Sequence, residues 1–495
     1  MPLTLGIDIG TFQAKGVIAD DRGRILAQAT RDHRMSVPRP GWAEHDAEAD
    51  WWGGFTALCR ELLTGIDPKD IACVATSAIG PCMLPVDAQG RALTNAVLYG
   101  VDTRAAQEIE DLTREIGADQ ILKTCGNALT SQSVGPKILW LQRHRPEICA
   151  QTAKIVTSTT FLVQRLTGEC VIDHYTAANF SPLYDVNRLD WTADLATFLP
   201  LEKLPRLAWS TEIAGHVTPG AAAATGLAPG TPVTVGTIDA AAEAVSVGTR
   251  APGDMMMMYG STIFMIQVTE RPVRDPRLWY APWLHEGQHA SMAGLATSGT
   301  LTHWFRDQFA RDLPKDTAFA TLAQEAERSP PGANGLILLP YFSGERTPIH
   351  DPHAKGTVIG LNLTHTRGDL YRALIEGIAM GTAHVIETCR GIGAAPVRLL
   401  AVGGGTQNPL WLQATSDFAN LPQTVSKVST GAAYGNAFLA ACAVGLARPG
   451  DIVAWNPPER EIAPATTKVH ADRYALFRRL YEQTKDIARA IGAAD

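Results

Sequence analysis

Leu3-Thr4-Leu5-Gly6-Ile7-Asp8-Ile9-Gly10-Thr11 is the stretch whose reading decides the fold. Leu3, Leu5, Ile7 and Ile9 alternate, so they share one face of a strand. Thr4, Gly6, Asp8 and Gly10 take the other face. An acidic side chain on so apolar a strand is costly unless it meets a cation or hydrogen-bond donors. Gly10-Thr11 turns the chain, and Lys15-Gly-Val-Ile-Ala runs back as a second strand. A bend carrying Gly, Thr, Asp and Lys suits phosphate, held by backbone N–H groups and a hydroxyl, with the carboxylate facing a metal. The pattern has an echo in Met255-Met-Met-Met-Tyr-Gly-Ser-Thr-Ile-Phe-Met-Ile-Gln-Val268: strand, Gly-Ser-Thr bend, return strand. Two such hairpins half a chain apart suggest a duplicated nucleotide clamp.

The 495 residues are enough for two to four domains, and 45% hydrophobic with 19% charged is ordinary globular composition. A net charge of -7 with no Lys/Arg run gives no footprint for nucleic acid. No apolar run approaches the ~18 residues of a spanning helix. No basic region precedes an apolar core near Met1, so no secretory signal and no membrane partner are expected. The eight cysteines are scattered and never spaced Cys-x-x-Cys. They read as reduced thiols of a cytoplasmic protein rather than a zinc site.

Along the chain, strands are expected at Arg24–Thr30, Ile71–Ser77, Met83–Val86 and Val233–Thr237. Helices are expected at Asp46–Thr64, Asp102–Ile116, Lys137–His144 and Ser158–Leu166. The second half offers helices at Thr300–Phe309, Asp316–Arg328, Gly368–Cys389, Thr430–Val444 and Arg473–Ile491, with a strand at Leu399–Val402. Strands and helices mix throughout, so the class is α/β with mixed sheets. A boundary near Thr249-Arg-Ala-Pro-Gly253 divides the chain into 1–248 and 249–495.

Asp239 follows the buried strand Val233-Thr-Val-Gly-Thr237 and opens a helix. One reading is a helix cap. The other is a general base taking the proton of a hydroxyl that attacks phosphorus. Asp8 and Asp239, both at strand ends, are placed to share Mg²⁺ partly through water. Leu400-Ala-Val-Gly-Gly-Gly-Thr-Gln-Asn408 reads as strand, glycine bend and helix start, where backbone can approach a nucleotide. Thr297-Ser-Gly299-Thr-Leu-Thr-His303 is a weaker candidate of the same kind. Met255 to Met258 read as core filler, and Trp51-Trp52 as helix packing. His285 and His289 read as a turn rather than a metal pair.

Taken together, these motifs resemble the FGGY family of carbohydrate kinases. The likeness runs through G-I-D-I-G-T, G-W-A-E-H-D at Gly41–Asp46, D-T-R at Asp102–Arg104 and R-L-T-G-E at Arg165–Glu169. It continues through G-T-I-D-A-A-A-E around Asp239 and Y-G-S-T at Tyr259–Thr262. Its most specific stretch is Tyr341 to Leu361, followed by A-L-I-E-G-I-A and G-G-G-T-Q-N-P-L-W. The resemblance implies two actin-like domains (ribonuclease H-like, of the hexokinase and Hsp70 ATPase type) with ATP and sugar in a cleft between them. It assigns sugar and catalytic base to 1–248 and the nucleotide side to 249–495.

By position, Asp8 and Asp239 match the family's metal-side and catalytic-base carboxylates. Gly10, Thr11 and Lys15 match the first phosphate loop, and Gly260, Ser261 and Thr262 the second. Backbone N–H groups at Gly10-Thr11 and Gly260-Ser261 are expected to neutralise the transferring group. Gly299, His303, Gly404 and Asn408 match nucleotide-side positions. Phe12 stands where a second Thr or Ser is usual. On the substrate side, xylulose kinases carry G-Q-M-H-G and glycerol kinases Q-R-E-T. This chain has Ser77-Ala-Ile-Gly-Pro-Cys-Met83. Gln132, Asp173 and Thr176 are the remaining candidates near the sugar. The implied activity is ATP- and Mg²⁺-dependent phosphorylation of a ketopentose such as xylulose at a primary hydroxyl, by a homodimer. Kinases of ribulose, an L-ketose, erythritol or glycerol are alternatives. So is a non-kinase ATPase or sugar-binding regulator of the same fold, although such a regulator should lack one carboxylate or a phosphate loop, and here both Asp8 and Asp239 remain.

Overall fold

The computed structural model describes residues 2–492. The opening strand forms as its alternation requires, over Leu3–Ile9, and turns into Gln13–Asp20 and then Ile25–Asp32. Its apolar face packs on Trp51, Phe55, Leu58 and Leu62, all buried. Each such side chain contributes roughly 1.5–3 kcal/mol on burial. The expected helix Asp46–Thr64 starts with a π-helical stretch, Ala47–Gly53, and continues as an α-helix over Gly54–Leu62. Asp46 caps it, accepting from the amides of Glu48 and Ala49 at 2.9 and 3.0 Å.

The chain forms two compact units that interleave along the sequence. The first gathers Met1–Arg250, Glu270–Ala290 and Thr430–Pro457; the second holds Ala251–Thr269, Ser291–Ser429 and Pro458–Asp495. The sequence reading, with a single cut, placed all of 249–495 in one piece. The return of Thr430–Pro457 has a packing cause. The Ala-rich helix Ala432–Ala443 lies directly on the polar face of the opening strand. An added Cβ at Gly6 would overlap the Ala433 carbonyl oxygen and the Ala437 amide nitrogen, and would lie 2.9 Å from Asn436 Cβ. Glycine there lets helix backbone touch strand backbone, so both faces of Leu3–Ile9 are buried.

In the first unit the sheet order is Ile213–His216, Pro232–Thr234, Ile71–Ala78, Leu3–Ile9, Gln13–Asp20, Ile25–Asp32. The centre is parallel and both edges are antiparallel. The expected strand Val233–Thr237 is interrupted. Pro232–Thr234 ends, Gly236 takes φ +75°, and Thr237–Ile238 rejoins Ile71–Ala78 in parallel. In the second unit the hairpin Asp254–Tyr259/Ile263–Thr269 is antiparallel, and Asp254–Tyr259 pairs in parallel with Arg398–Val402. Gln423–Ser426 and Pro458–Ile462 extend that sheet. Each unit therefore has a hairpin whose first strand takes a parallel partner on its other side, the repeat the sequence suggested. Met255, Met256 and Met257 are buried, as core filler should be. No disulfide joins any of the eight cysteines, and no described helix is long and apolar enough to cross a membrane.

Candidate active site

Strand register builds the first cluster. Asp8 stands opposite Lys15 in the antiparallel ladder and opposite Ser77 in the parallel one, so the three share a face. Ser77 Oγ donates to Asp8 Oδ1 at 2.7 Å. Thr237 and Ile238 pair with Ser77 and Ala78, so Asp239 emerges one residue later, at the end of the same parallel set. Asp239 is the first residue of the helix Asp239–Ser246, with Ile238 as its cap, and its Oδ1 accepts from the Ala240 amide at 2.7 Å. Glu243 follows one turn later on the same helix face and accepts from the Ala432 amide at 2.8 Å.

Three carboxylates thus crowd one lysine. Burial raises Asp8 to about 7; Ser77 and Lys15 pull it down, and Glu243 pushes it up. Burial pushes Asp239 well above the usual carboxylate range, and the charges of Asp8 and Glu243 add to this. Burial also raises Glu243, against the Ala432 amide and Lys15. All three carboxyls are therefore easier to protonate than exposed ones, and Lys15 is the cation that opposes this at Asp8 and Glu243.

The turn beside it is braced. The Gly10 amide donates to Gln13 O at 3.0 Å, so it closes its own bend. The Gly260 amide does the same to Thr262 O at 3.1 Å. This corrects the expectation that those two N–H groups face an anion, since each is committed within its own bend. Phe12 is 60% exposed at the tip of the first bend. His33 Nε2 lies 2.9 Å from Gly10 O, and His33 sits edge-on to His45 at 5.1 Å. Trp51 Nε1 donates to His45 Nδ1 at 3.0 Å, which places the His45 proton on the buried Nε2. Burial lowers His45 to about 4, His33 adds to this, and the Thr11 backbone opposes it.

The sugar-side candidates separate. Asp173 is buried among hydroxyls, accepting on Oδ2 from Thr237 Oγ1 at 2.8 Å and Ser210 Oγ at 3.1 Å. Burial raises it to about 6 against the donors Thr176, Thr237 and Ser210. Thr176 is buried beside it. Through Thr237, Asp173 braces the strand end that carries Asp239. Gln132 is half-buried and accepts from the Gly100 amide at 3.2 Å.

In the second unit a cavity of about 660 Å³ brings together Gly260 and Ser261, which the resemblance placed in the second phosphate loop, with Gly299, His303, Gly404 and Asn408, which it placed on the nucleotide side. Thr262 closes the bend but is not part of the lining. At Gly299 a Cβ would overlap the Gly260 carbonyl, so glycine lets the helix Gly299–Phe309 dock on the bend. Its amide donates to Gly260 O at 3.1 Å, and the Thr300 amide to Ser261 O at 3.1 Å. Asn408 caps Pro409–Ala419 and also bonds the Tyr371 hydroxyl, whose pKa burial raises to about 12. Sequence reasoning missed Phe319, Gln324, Glu327 and Tyr371, which line the cavity from two ordinary amphipathic helices, Ala318–Glu327 and Arg367–Gly391. Trp411 was quoted in the G-G-G-T-Q-N-P-L-W motif without a role; its ring completes the apolar wall. An apolar cavity with glycine bends at one side suits a nucleotide.

The model for "FGGY family of carbohydrate kinases, N-terminal domain" matches residues 3–246, and that for the C-terminal domain matches 255–444. The chain is 30% identical to a xylulose kinase of Escherichia coli (strain K12), over 97% of this chain and 98% of that one. It is 28% identical to a xylulose kinase of Bacillus subtilis (strain 168), over 99% of each. The crystal structure of xylulose kinase from Rhodospirillum rubrum superposes with TM-score 0.92 at 31% identity, covering 98% of this chain and 99% of that one. With both halves matched and the actin-like α/β architecture shared, this chain belongs to the FGGY family of carbohydrate kinases.

Proposed function

We propose that this carbohydrate kinase transfers the γ-phosphoryl group of ATP to a primary hydroxyl of a ketopentose, with xylulose the first candidate. The observation that carries the mechanism is Asp239, a carboxylate raised by burial and by Asp8 at the end of a parallel strand set. Asp239 takes the proton of the sugar hydroxyl. The freed oxygen forms a bond to the γ-phosphorus as the bond from phosphorus to the β–γ bridging oxygen breaks; ADP leaves with that electron pair. Lys15 and the Thr11 amide stabilise the charge that develops. Phe319, Tyr371 and Trp411 offer the adenine its apolar surface.

The donor set fits Mg²⁺. Asp8 Oδ1 is committed to Ser77, while Oδ2 lies toward the Gly10 bend, 3.8 Å from where a Gly10 Cβ would stand. Among the described residues no group of three or more acidic, histidine or cysteine side chains is arranged to hold a metal ion by itself. A cation bound through one or two carboxylates, phosphate oxygens and water is the usual Mg²⁺ arrangement. When bound, Mg²⁺ supplies charge neutralisation to the phosphoryl oxygens.

Xylulose is supported by the names of the relatives. A second reading, another ketose or a polyol such as ribulose or erythritol, is favoured by Ser77–Met83, which lacks the histidine of G-Q-M-H-G. We place the reaction in the cytoplasm and assign it to a homodimer, on the family resemblance. ADP release measured across ketoses and polyols tests the proposal. Xylulose as the best substrate supports the first reading, a polyol or ribulose supports the second, and sugar-independent ADP release overturns both.

A further inference from the structure

Asn436 is the one amide in the apolar helix segment Ala432-Ala-Tyr-Gly-Asn-Ala-Phe-Leu-Ala-Ala-Cys-Ala443, and it is fully buried. Its Nδ2 donates to Ile7 O at 2.9 Å and to Ser77 Oγ at 2.7 Å. Ile7 O is only an acceptor, so the nitrogen must face it and the amide cannot be flipped. Both amide protons are then committed. Ser77 Oγ accepts one of them, so its single proton goes to Asp8 Oδ1, 2.7 Å away. Asn436 Oδ1 is left buried without a partner. The orphaned acceptor offsets part of what the two Nδ2 hydrogen bonds contribute to stability, so a purely structural role leaves the choice of an amide here unexplained.

We propose that Asn436 and Ser77 form a positioning pair that fixes the proton order beside Asp8 and holds its Oδ2 toward the Gly10 bend. The inference rests on the proposed role of Asp8 in phosphoryl transfer. A carboxyl at 436 has at most one proton for two acceptors, so N436D takes the Ser77 proton away from Asp8 at nearly unchanged volume. S77A removes the donor directly. Once Ser77 is absent, N436D needs to satisfy only Ile7 O and adds no further loss to the chemistry.

The test uses the full-length protein as wild type, S77A, N436D and the double variant. Sugar-dependent ADP release gives kcat and KM, calorimetry gives ADP affinity with and without Mn²⁺, and thermal unfolding gives the midpoint. The expected result is a kcat loss of about 10–100-fold in each single variant, the range for residues that orient a metal-side ligand, with both KM values within about threefold. The double variant falls no further than S77A. Metal-free ADP affinity stays put, while the increment supplied by Mn²⁺ shrinks about tenfold. Single variants within twofold of wild-type kcat, or losses that multiply in the double variant, overturn the proposal. Should N436D fail to fold, S77A alone decides it by the same kcat and Mn²⁺ readouts. A wild type without sugar-dependent ADP release removes the functional reading instead, and the Mn²⁺ increment then decides the positioning claim by itself.

Discussion

Gly6→Ala is a small change with a large expected effect, because the atoms it meets are main chain. The new Cβ overlaps the Ala433 carbonyl oxygen and the Ala437 amide nitrogen and sits 2.9 Å from Asn436 Cβ. None of the three is the free end of a side chain. Relief therefore requires Ala432–Ala443 to move off the sheet by about 1 Å, a distance that also opens packing around it. Overpacking into flexible neighbours costs about 1–3 kcal/mol, and a backbone neighbour puts this site at or above the top of that range, roughly 3–5 kcal/mol. For a large unit each kcal/mol lowers the unfolding midpoint by about 2–4 °C, so the shift is on the order of 10 °C. Gly220→Ala is the matched control. It lies in the helix Pro219–Thr225, a Cβ there meets nothing within 4 Å, and alanine is expected to gain roughly 0.5–1 kcal/mol. Differential scanning calorimetry of the pair reads both. A Gly6→Ala midpoint within 1 °C of wild type refutes the claim that strand and helix backbones are in contact.

His45 gives a pH dependence of stability. Its folded value of about 4 lies below the ordinary 6.5, so the unfolded chain takes the proton first. Stability is fully present above pH 6.5 and falls as pH drops toward 4, by up to ~3 kcal/mol; H45Q should flatten that limb of the midpoint-against-pH curve, and an unchanged limb contradicts the assignment. At the nucleotide cavity, F319A is expected to raise KM for ATP about 5–10-fold with kcat within twofold, since it removes surface that serves bound ATP and the transition state alike. A selective fall in kcat would place Phe319 in the chemistry instead.

What was legible in the sequence was what local rules govern. Alternation gave Leu3–Ile9 and the bends gave both hairpins; the glycine-rich turns marked Gly260, Gly299, Gly404 and Asn408 one by one, and the structure lines one cavity with them. Asp239 at a strand end was visible because a carboxylate after a buried run needs a reason. The rest depended on contacts between distant residues. Nothing near Gly6 reveals that a helix more than 400 residues later rests on it, and so nothing reveals that Asn436 reaches Ser77. Phe319 and Tyr371 sit on helices whose apolar positions look like any core stripe. The Gly10 and Gly260 amides were expected to face phosphate; each closes its turn, a matter of a single hydrogen bond that residue identity does not encode. Residue identity also did not encode that Ser210 and Thr237 donate to Asp173 Oδ2.

The role of Asp239 is tested most directly by comparing wild type with D239N for sugar-dependent ADP release and, separately, for ATP affinity by calorimetry. The account predicts that the amide variant binds ATP within about threefold of wild type and loses at least roughly 1000-fold in kcat, for want of a group to take the hydroxyl proton. Turnover by D239N within tenfold of wild type would contradict it.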